Sequence, residues 1–315
     1  MLVNGRWEGD WQQRNRADAS GRFVREVSTF RHWVTADGAP GPSGDGGFKA
    51  EPGRYHLYVA LNCPWACRAL LYRKLKKLDG IIGLSVTAPE FTDQGYGFAD
   101  YPGAIPDTLH GVRYVHQLYT LADPVFTGRP TVPVLWDIER HTIVNNESSD
   151  IIRMFNEAFD DYGDASVDFY PPARRADIDA LNERVYEGLN NGVYRAGMAG
   201  SQVAYEQAVQ EIFTCLDELE QRLEGRDFLL GAQPLETDWR VFVTLIRFDL
   251  VYYSLFKCNL RRILDYPRLS AYLKRLYEVP GVADTVNFEH IKQTYFSIRR
   301  LNPNGIVPSG PERLW

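Results

Sequence analysis

At 315 residues the chain is longer than one hydrophobic core usually supports, so two domains are expected. Hydrophobic residues at 44% and charged residues at 24% make a globular composition, and a formal charge of −6 lacks the basic excess that binding nucleic acid requires. No run approaches the ~18 apolar residues of a membrane span, and the opening stretch, Met1 to Trp11, has no apolar signal core. Cysteines occur at positions 63, 67, 215 and 258, too sparsely for a disulfide scaffold. A cytoplasmic protein with reduced thiols is expected. The densest basic run, Arg73 to Lys77, reads as the solvated face of a helix.

Residues 1–50 form an N-terminal extension. Within it Phe23 to Trp33 mixes apolar and charged residues, which suggests an ordered segment packed on the body. Gly38 to Gly47 is rich in turn-formers and reads as an exposed loop. The first clear strand is His56 to Leu61, followed by Asn62-Cys63-Pro64 and a helix over Trp65 to Lys77. A short strand, Gly83 to Thr87, precedes an insertion at 88–130 with weak periodicity and one expected helix, Val115 to Ala122. Strands follow at Thr131 to Trp136 and His141 to Val144, then a helix from Glu147 to Phe159 capped by Asn145-Asn146. Beyond Asp160 the periodicity predicts helices over Ala173 to Asn190, Gln202 to Leu223, Thr237 to Tyr253 and Leu269 to Glu278. Residues 296–315 read as an extended tail.

Cys63 falls where a strand passes into a helix. A thiol reacts as its thiolate, which at an ordinary pKa near 8.5 is only ~3% of the population at neutral pH. A helix N-terminus favours the anion through its dipole, worth about 0.3–1 kcal/mol, and through unpaired N–H groups. A two-unit drop in pKa needs about 2.7 kcal/mol, so direct donation from the Trp65 or Ala66 N–H has to supply much of it. The plainer reading is a small buried residue. Val132-Pro133, at the head of a strand, is where a cis bond would expose the Val132 backbone to an extended peptide, or it is an ordinary edge proline. Asn146-Glu147-Ser148 opens a helix, where Ser148 and nearby N–H groups could hold a carboxylate and Glu147 an ammonium. Taken alone, that triplet is a capping signal.

These elements occur in the order of the glutathione transferase fold: an α/β thioredoxin-like N-terminal domain plus an all-α C-terminal domain. NCPWA at 62–66, TVPVLWD at 131–137, NNESSDIIRMFN at 145–156 and GVYRAGMA at 192–199 resemble the glutathionyl-hydroquinone reductases, the Xi-class glutathione transferases. LIRFDLVY at 245–252, FKCNLRRI at 256–263 and NPNGIVPSGP at 302–311 extend the resemblance over nearly the whole chain.

The resemblance implies a glutathione-binding domain at 51–160, a helical substrate domain at 161–295, glutathione as co-substrate, no metal, and a homodimer. Cys63 would attack the sulfur of a glutathionyl-hydroquinone, forming a mixed disulfide and releasing the hydroquinone. A second glutathione would then release Cys63. Carried over by position, Tyr96, Arg129, Val132, Glu147 and Ser148 would bind glutathione, with Tyr96 standing where the family has tryptophan. Tyr194 and Tyr295 would act on the hydroquinone, and Tyr252 would line its pocket. Cys67 replaces a usual histidine, as do Leu255, Thr294 and Arg299 in the later segments. An omega-like thiol transferase or dehydroascorbate reductase is the enzymatic alternative. A noncatalytic module for dimerisation or ligand carriage is the other, although such a module would have no need of the cysteine. The spacing of Cys63 and Cys67 supplies no metal-ligand set, and the chain has neither a phosphate-binding glycine loop nor a serine nucleophile elbow.

Overall fold

The structure, a computed structural model, describes residues 1–9 and 17–315. The chain divides into two compact units. The first comprises Val27–Asp168 and Asp284–Ser297 with the start of the chain, and the second comprises Phe169–Ala283 and Ile298–Trp315 with residues 17–26.

In the first unit a short hairpin, β1 (Leu2–Val3) and β2 (Arg6–Trp7), turns at Asn4-Gly5. Both turn residues have positive φ, 48° and 74°, the geometry that an Asn-Gly pair adopts most readily. The main sheet contains β3 (Tyr55–Val59), β4 (Gly83–Val86), β5 (Val134–Asp137) and β6 (Thr142–Asn145) in the order β4-β3-β5-β6. β3 runs parallel to β4 and antiparallel to β5, and β5 runs antiparallel to β6. All five residues of β3 are buried, as expected of a central strand covered on both faces. α1 (Pro64–Leu75) makes the crossover from β3 to β4 and packs against α3 (Ser148–Glu157). This is the thioredoxin-like arrangement read from the sequence.

The inserted segment contains α2 (Val115–Ala122), at the bounds expected for its one helix. It is tied to the sheet edge by reciprocal backbone bonds of 2.9 Å between Val86 and Ile105. Asp107 organises its turn, accepting from the N–H groups of Leu109, His110 and Val112 and from the Tyr58 hydroxyl. Near its end the extension is packed on the sheet: His32 N–H bonds Val144 O at 3.0 Å, and Arg31 bridges to Asn145.

One expectation is overturned. The basic run 73–77 is only partly solvated, because Arg73 and Lys76 are buried. Lys76 Nζ donates to Asp160 Oδ1 at 2.8 Å and to Val167 O at 2.6 Å, while Arg73 donates to Ile82 O and Asp79. Acceptors distant in sequence compensate the buried charge, so charge pattern alone misjudged this face.

The second unit is helical: α4 (Arg175–Val185), α5 (Gly192–Gly197), α6 (Gln202–Arg222), α7 (Glu236–Arg247) and α8 (Pro267–Tyr277). Two expected single helices change character near their ends. α4 passes into a π segment at Tyr186–Asn190, and α7 into another at Phe248–Tyr252. At the end of the first, Asn190 Nδ2 reaches Arg240 O at 2.8 Å and Thr244 Oγ1 at 2.7 Å. The tail beyond Ser297 is irregular, with Trp315 packed on Tyr277. A further helix, α9 (Phe288–Phe296), belongs to the first unit.

Candidate active site

Cys63 is the N-cap of α1, in extended conformation (φ −75°, ψ 118°), with Pro64 at the first helical position. The chain leaves β3 in a tight turn, Cys63 N–H bonding Ala60 O at 3.0 Å, and α1 starts with Cys67 N–H on Cys63 O. The sulfur is thus held at the positive end of the helix, the setting that favours a thiolate. Its thiol donates to the Val132 carbonyl with Sγ···O 3.6 Å. The Val132-Pro133 bond is cis. Two segments 69 residues apart therefore meet at the sulfur. The other cysteines offer little competition for this role. Burial pushes the Cys215 thiol up to about 11 and Cys258 higher still, while Cys67 is 1% exposed against 8% for Cys63, its sulfur 3.8 Å from Thr285 O.

Glu147 and Ser148 lie at the start of α3. The cap is Glu147 itself, correcting the expectation for Asn145-Asn146: its carboxylate accepts from Ser149 N–H at 3.1 Å and from the Ser149 hydroxyl at 3.0 Å. The two asparagines instead shape the approach. Asn145 Oδ1 accepts from Glu147 N–H at 2.7 Å, and Asn146 Oδ1 accepts from Phe30 N–H at 3.1 Å. Burial opposes the charge on Glu147, but the Ser149 N–H, the Ser28 and Ser149 hydroxyls and the charge of Arg68 together hold it below the usual carboxylate range. A buried carboxylate kept ionised in this way can receive an ammonium group. The Ser148 hydroxyl is buried and has no hydrogen-bond partner among the described residues. Buried polar atoms are normally satisfied, so this one is suited to a ligand.

Tyr96 and Arg129 are brought together. With Trp7, Gln94, Gly95, Val115, His116 and Pro130 they line one small pocket. Asn62 Nδ2, one residue before Cys63, lies 3.4 Å from the Tyr96 hydroxyl. Trp7 stacks on His116 with centroids 4.6 Å apart and donates its indole N–H to Asp93 O.

The three remaining tyrosines divide between the units. Tyr194, on α5, and Tyr252, at the end of the second π segment, have centroids 6.1 Å apart in an aromatic cluster with Phe256. Tyr194 is partly exposed and carries the Arg25 guanidinium 4.8 Å from its ring centroid, whereas Tyr252 is buried. Tyr295 is buried on α9 in the first unit. Thr294 is buried beside it and bonds back to His290 O, Leu255 is buried in the second unit, and Arg299 reaches Pro303 O.

Sequence reasoning missed Ser28, whose hydroxyl donates to the Glu147 carboxylate at 3.0 Å, and Trp7, which lines the pocket with Tyr96 and Arg129. Only Trp7 carried a local signal, the Asn4-Gly5 turn before it. Among the described residues no cluster of three His, Cys, Asp or Glu side chains could hold a metal ion.

A family model of the glutathione S-transferase N-terminal domain matches residues 62–158, and one of the C-terminal domain matches 202–275. The chain is 51% identical to glutathionyl-hydroquinone reductase YqjG of Escherichia coli over 99% of its own length and 95% of the relative's. The glutathione-bound structure of YqjG superposes with a TM-score of 0.91 at 49% identity, covering 99% of this chain and 96% of that one. The glutathione-S-transferase Xi of Phanerochaete chrysosporium superposes with a TM-score of 0.88 at 48% identity, covering 93% and 98%.

Proposed function

This chain belongs to the glutathione transferase family, and within it to the Xi class of glutathionyl-hydroquinone reductases; on that premise we propose that it reduces glutathionyl-hydroquinones with glutathione through Cys63. The observation that carries the proposal is the Cys63 sulfur at the start of α1, beside the Val132 carbonyl. A cysteine here can itself become glutathionylated, which a conjugating serine or tyrosine does not.

The Cys63 thiolate attacks the glutathionyl sulfur, the sulfur–carbon bond to the ring breaks, and the ring carbon takes a proton as the hydroquinone departs. The product on the enzyme is a Cys63–glutathione disulfide. A glutathione thiolate then attacks that disulfide, restoring Cys63 and leaving oxidised glutathione. The two electrons delivered to the ring carbon come one each from the Cys63 sulfur and the glutathionyl thioether sulfur, and the second glutathione makes good the electron lost by Cys63.

In this reading the Val132 backbone pairs with the cysteinyl part of glutathione. Glu147 and Ser148 take the ammonium and carboxylate of its γ-glutamyl end. Arg129 takes the glycyl carboxylate with Tyr96 beside it. The ionised Glu147 and the buried Ser148 hydroxyl support the γ-glutamyl assignment. Tyr194, Tyr252 and Tyr295 are assigned to the hydroquinone, a phenol being able to donate to the ring or its oxygens.

A cytoplasmic homodimer completes the reading. Free thiols at all four cysteines suit a reducing compartment, and no helix among the described residues is long and apolar enough to cross a membrane. The dimer rests on the resemblance and is tested by sedimentation.

The deciding experiment follows hydroquinone release from a glutathionyl-hydroquinone with excess glutathione, for wild type and Cys63→Ala. Release by wild type, falling about 10³-fold or more in the variant, is expected. Equal rates would remove Cys63 from the reaction. A wild type that is inactive yet glutathionylated at Cys63 would favour a thiol transferase acting on other mixed disulfides.

A further inference from the structure

Tyr119 is fully buried on α2, inside the inserted segment. Its hydroxyl accepts from Thr131 N–H at 3.1 Å and from Asn146 Nδ2 at 3.0 Å, and it donates to Thr131 O at 2.9 Å. One donor and two acceptor positions are all a phenol has, so its capacity is filled by these two residues. Burial raises its pKa, which keeps the proton available for the Thr131 carbonyl.

The placement of the two partners gives the contact its meaning. Thr131 immediately precedes Val132, and Asn146 immediately precedes Glu147-Ser148. The ladder between β5 and β6 ends at the Leu135–Asn145 pair, next to a register shift, so residues 131–133 and 146–148 lie beyond its last rung. Past that point the Tyr119 hydroxyl bonds to both segments and stands in for the missing ladder. The aromatic part is packed independently, with Phe30 and Phe126 at 5.8 and 5.1 Å between centroids. A phenylalanine would fill the same space and remove only the hydroxyl.

We infer that Tyr119 is a positioning residue for glutathione: its hydroxyl sets the spacing between the Val132 backbone and the Glu147-Ser148 helix start. The inserted segment thereby acts on the binding of the cysteinyl and γ-glutamyl parts together. The inference rests on the assignment of those residues to glutathione made above.

The test is Tyr119→Phe, with Tyr58→Phe as the matched control. Tyr58 is another buried tyrosine of the same unit, whose hydroxyl serves Asp107 at 2.9 Å. Glutathione Kd is measured by calorimetry, turnover by hydroquinone release, and stability by thermal melting. Tyr119→Phe is expected to weaken glutathione about tenfold, equivalent to ~1.4 kcal/mol, and to raise its KM similarly with kcat within about twofold. Tyr58→Phe should melt lower yet bind glutathione as wild type does. Unchanged glutathione affinity in Tyr119→Phe would overturn the inference while leaving the reductase reading intact. Equal weakening by both variants would overturn it too, since the loss would then reflect general destabilisation. Wild-type protein that bound no glutathione would bring down the underlying assignment, and this inference with it.

Discussion

The hydroxyl of Ser28 donates to the Glu147 carboxylate at 3.0 Å across 119 positions of sequence, so the N-terminal extension supplies part of the environment of the proposed γ-glutamyl anchor. The same hydroxyl lies 3.4 Å from Asn146 O, and Phe30 and Asn146 exchange backbone and side-chain bonds beside it. Ser28→Ala should weaken glutathione about 3- to 10-fold, as expected for a lost bond to a charged group. It should also move the acid limit of binding. Glu147 is depressed below its ordinary 4.5, so its contribution is present above that value and is lost as pH falls through the lower folded value. With one hydrogen bond gone the folded value rises toward 4.5, and the loss begins at higher pH. Glutathione titrations across the acid range check this, and an acid limit identical to wild type would count against it.

The tyrosines separate chemistry from glutathione binding. Tyr194→Phe and Tyr295→Phe are each expected to slow hydroquinone release by about ten- to a hundredfold, the lower reach of a lost proton donor. Glutathione affinity should stay at the wild-type value, because neither residue belongs to the anchors at Val132, Glu147 or Arg129. Single-turnover release and a glutathione Kd on the same preparations decide the matter. A variant that loses affinity and keeps its turnover rate would contradict the assignment.

His56 gives the first unit a built-in sensitivity to acid. Burial, helped by Arg73 and His110 and opposed by Asp107, brings it down to about 4 from 6.5, and its Nε2 lies 2.8 Å from Ser85 Oγ. The unfolded chain takes up a proton below 6.5, whereas the folded chain resists until about 4. Stability attributable to His56 is therefore complete above 6.5 and falls progressively to about 4, by roughly 3 kcal/mol in all. Denaturant unfolding at neutral and mildly acidic pH should show a shallower loss in His56→Gln than in wild type. Parallel pH profiles would show that the group titrates alike in both states.

The parts of the fold set by local chemistry were readable in the chain. The apolar run of β3, the Cys63-Pro64 junction and the amphipathic α6 all announce themselves within a few residues. Helices α5 and α9 were not foreseen, both being short and the first bounded by glycines. The π segments escaped because a helical repeat does not reveal one extra residue in a turn. At the site, Cys63 and the Glu147-Ser148 helix start stood out as possible chemistry from their positions in their elements. The structure places Val132 beside the sulfur and Tyr96 with Arg129. Ser28 and Tyr119 were invisible for a different reason. Each matters through a hydroxyl directed at a segment distant in sequence, and nothing in the neighbouring residues records that aim.

The extension described for the first unit also constrains the order in which the protein can be completed during synthesis. Leu2 pairs with Gly128, His32 with Val144 and Ser28 with Glu147, so these residues of the extension wait for partners made more than a hundred codons later. Until residue 147 has emerged, the extension has no docking groove. The carboxylate that is proposed to receive glutathione then lacks its Ser28 contact. The pocket is therefore completed only when widely separated segments of the first unit have all been made.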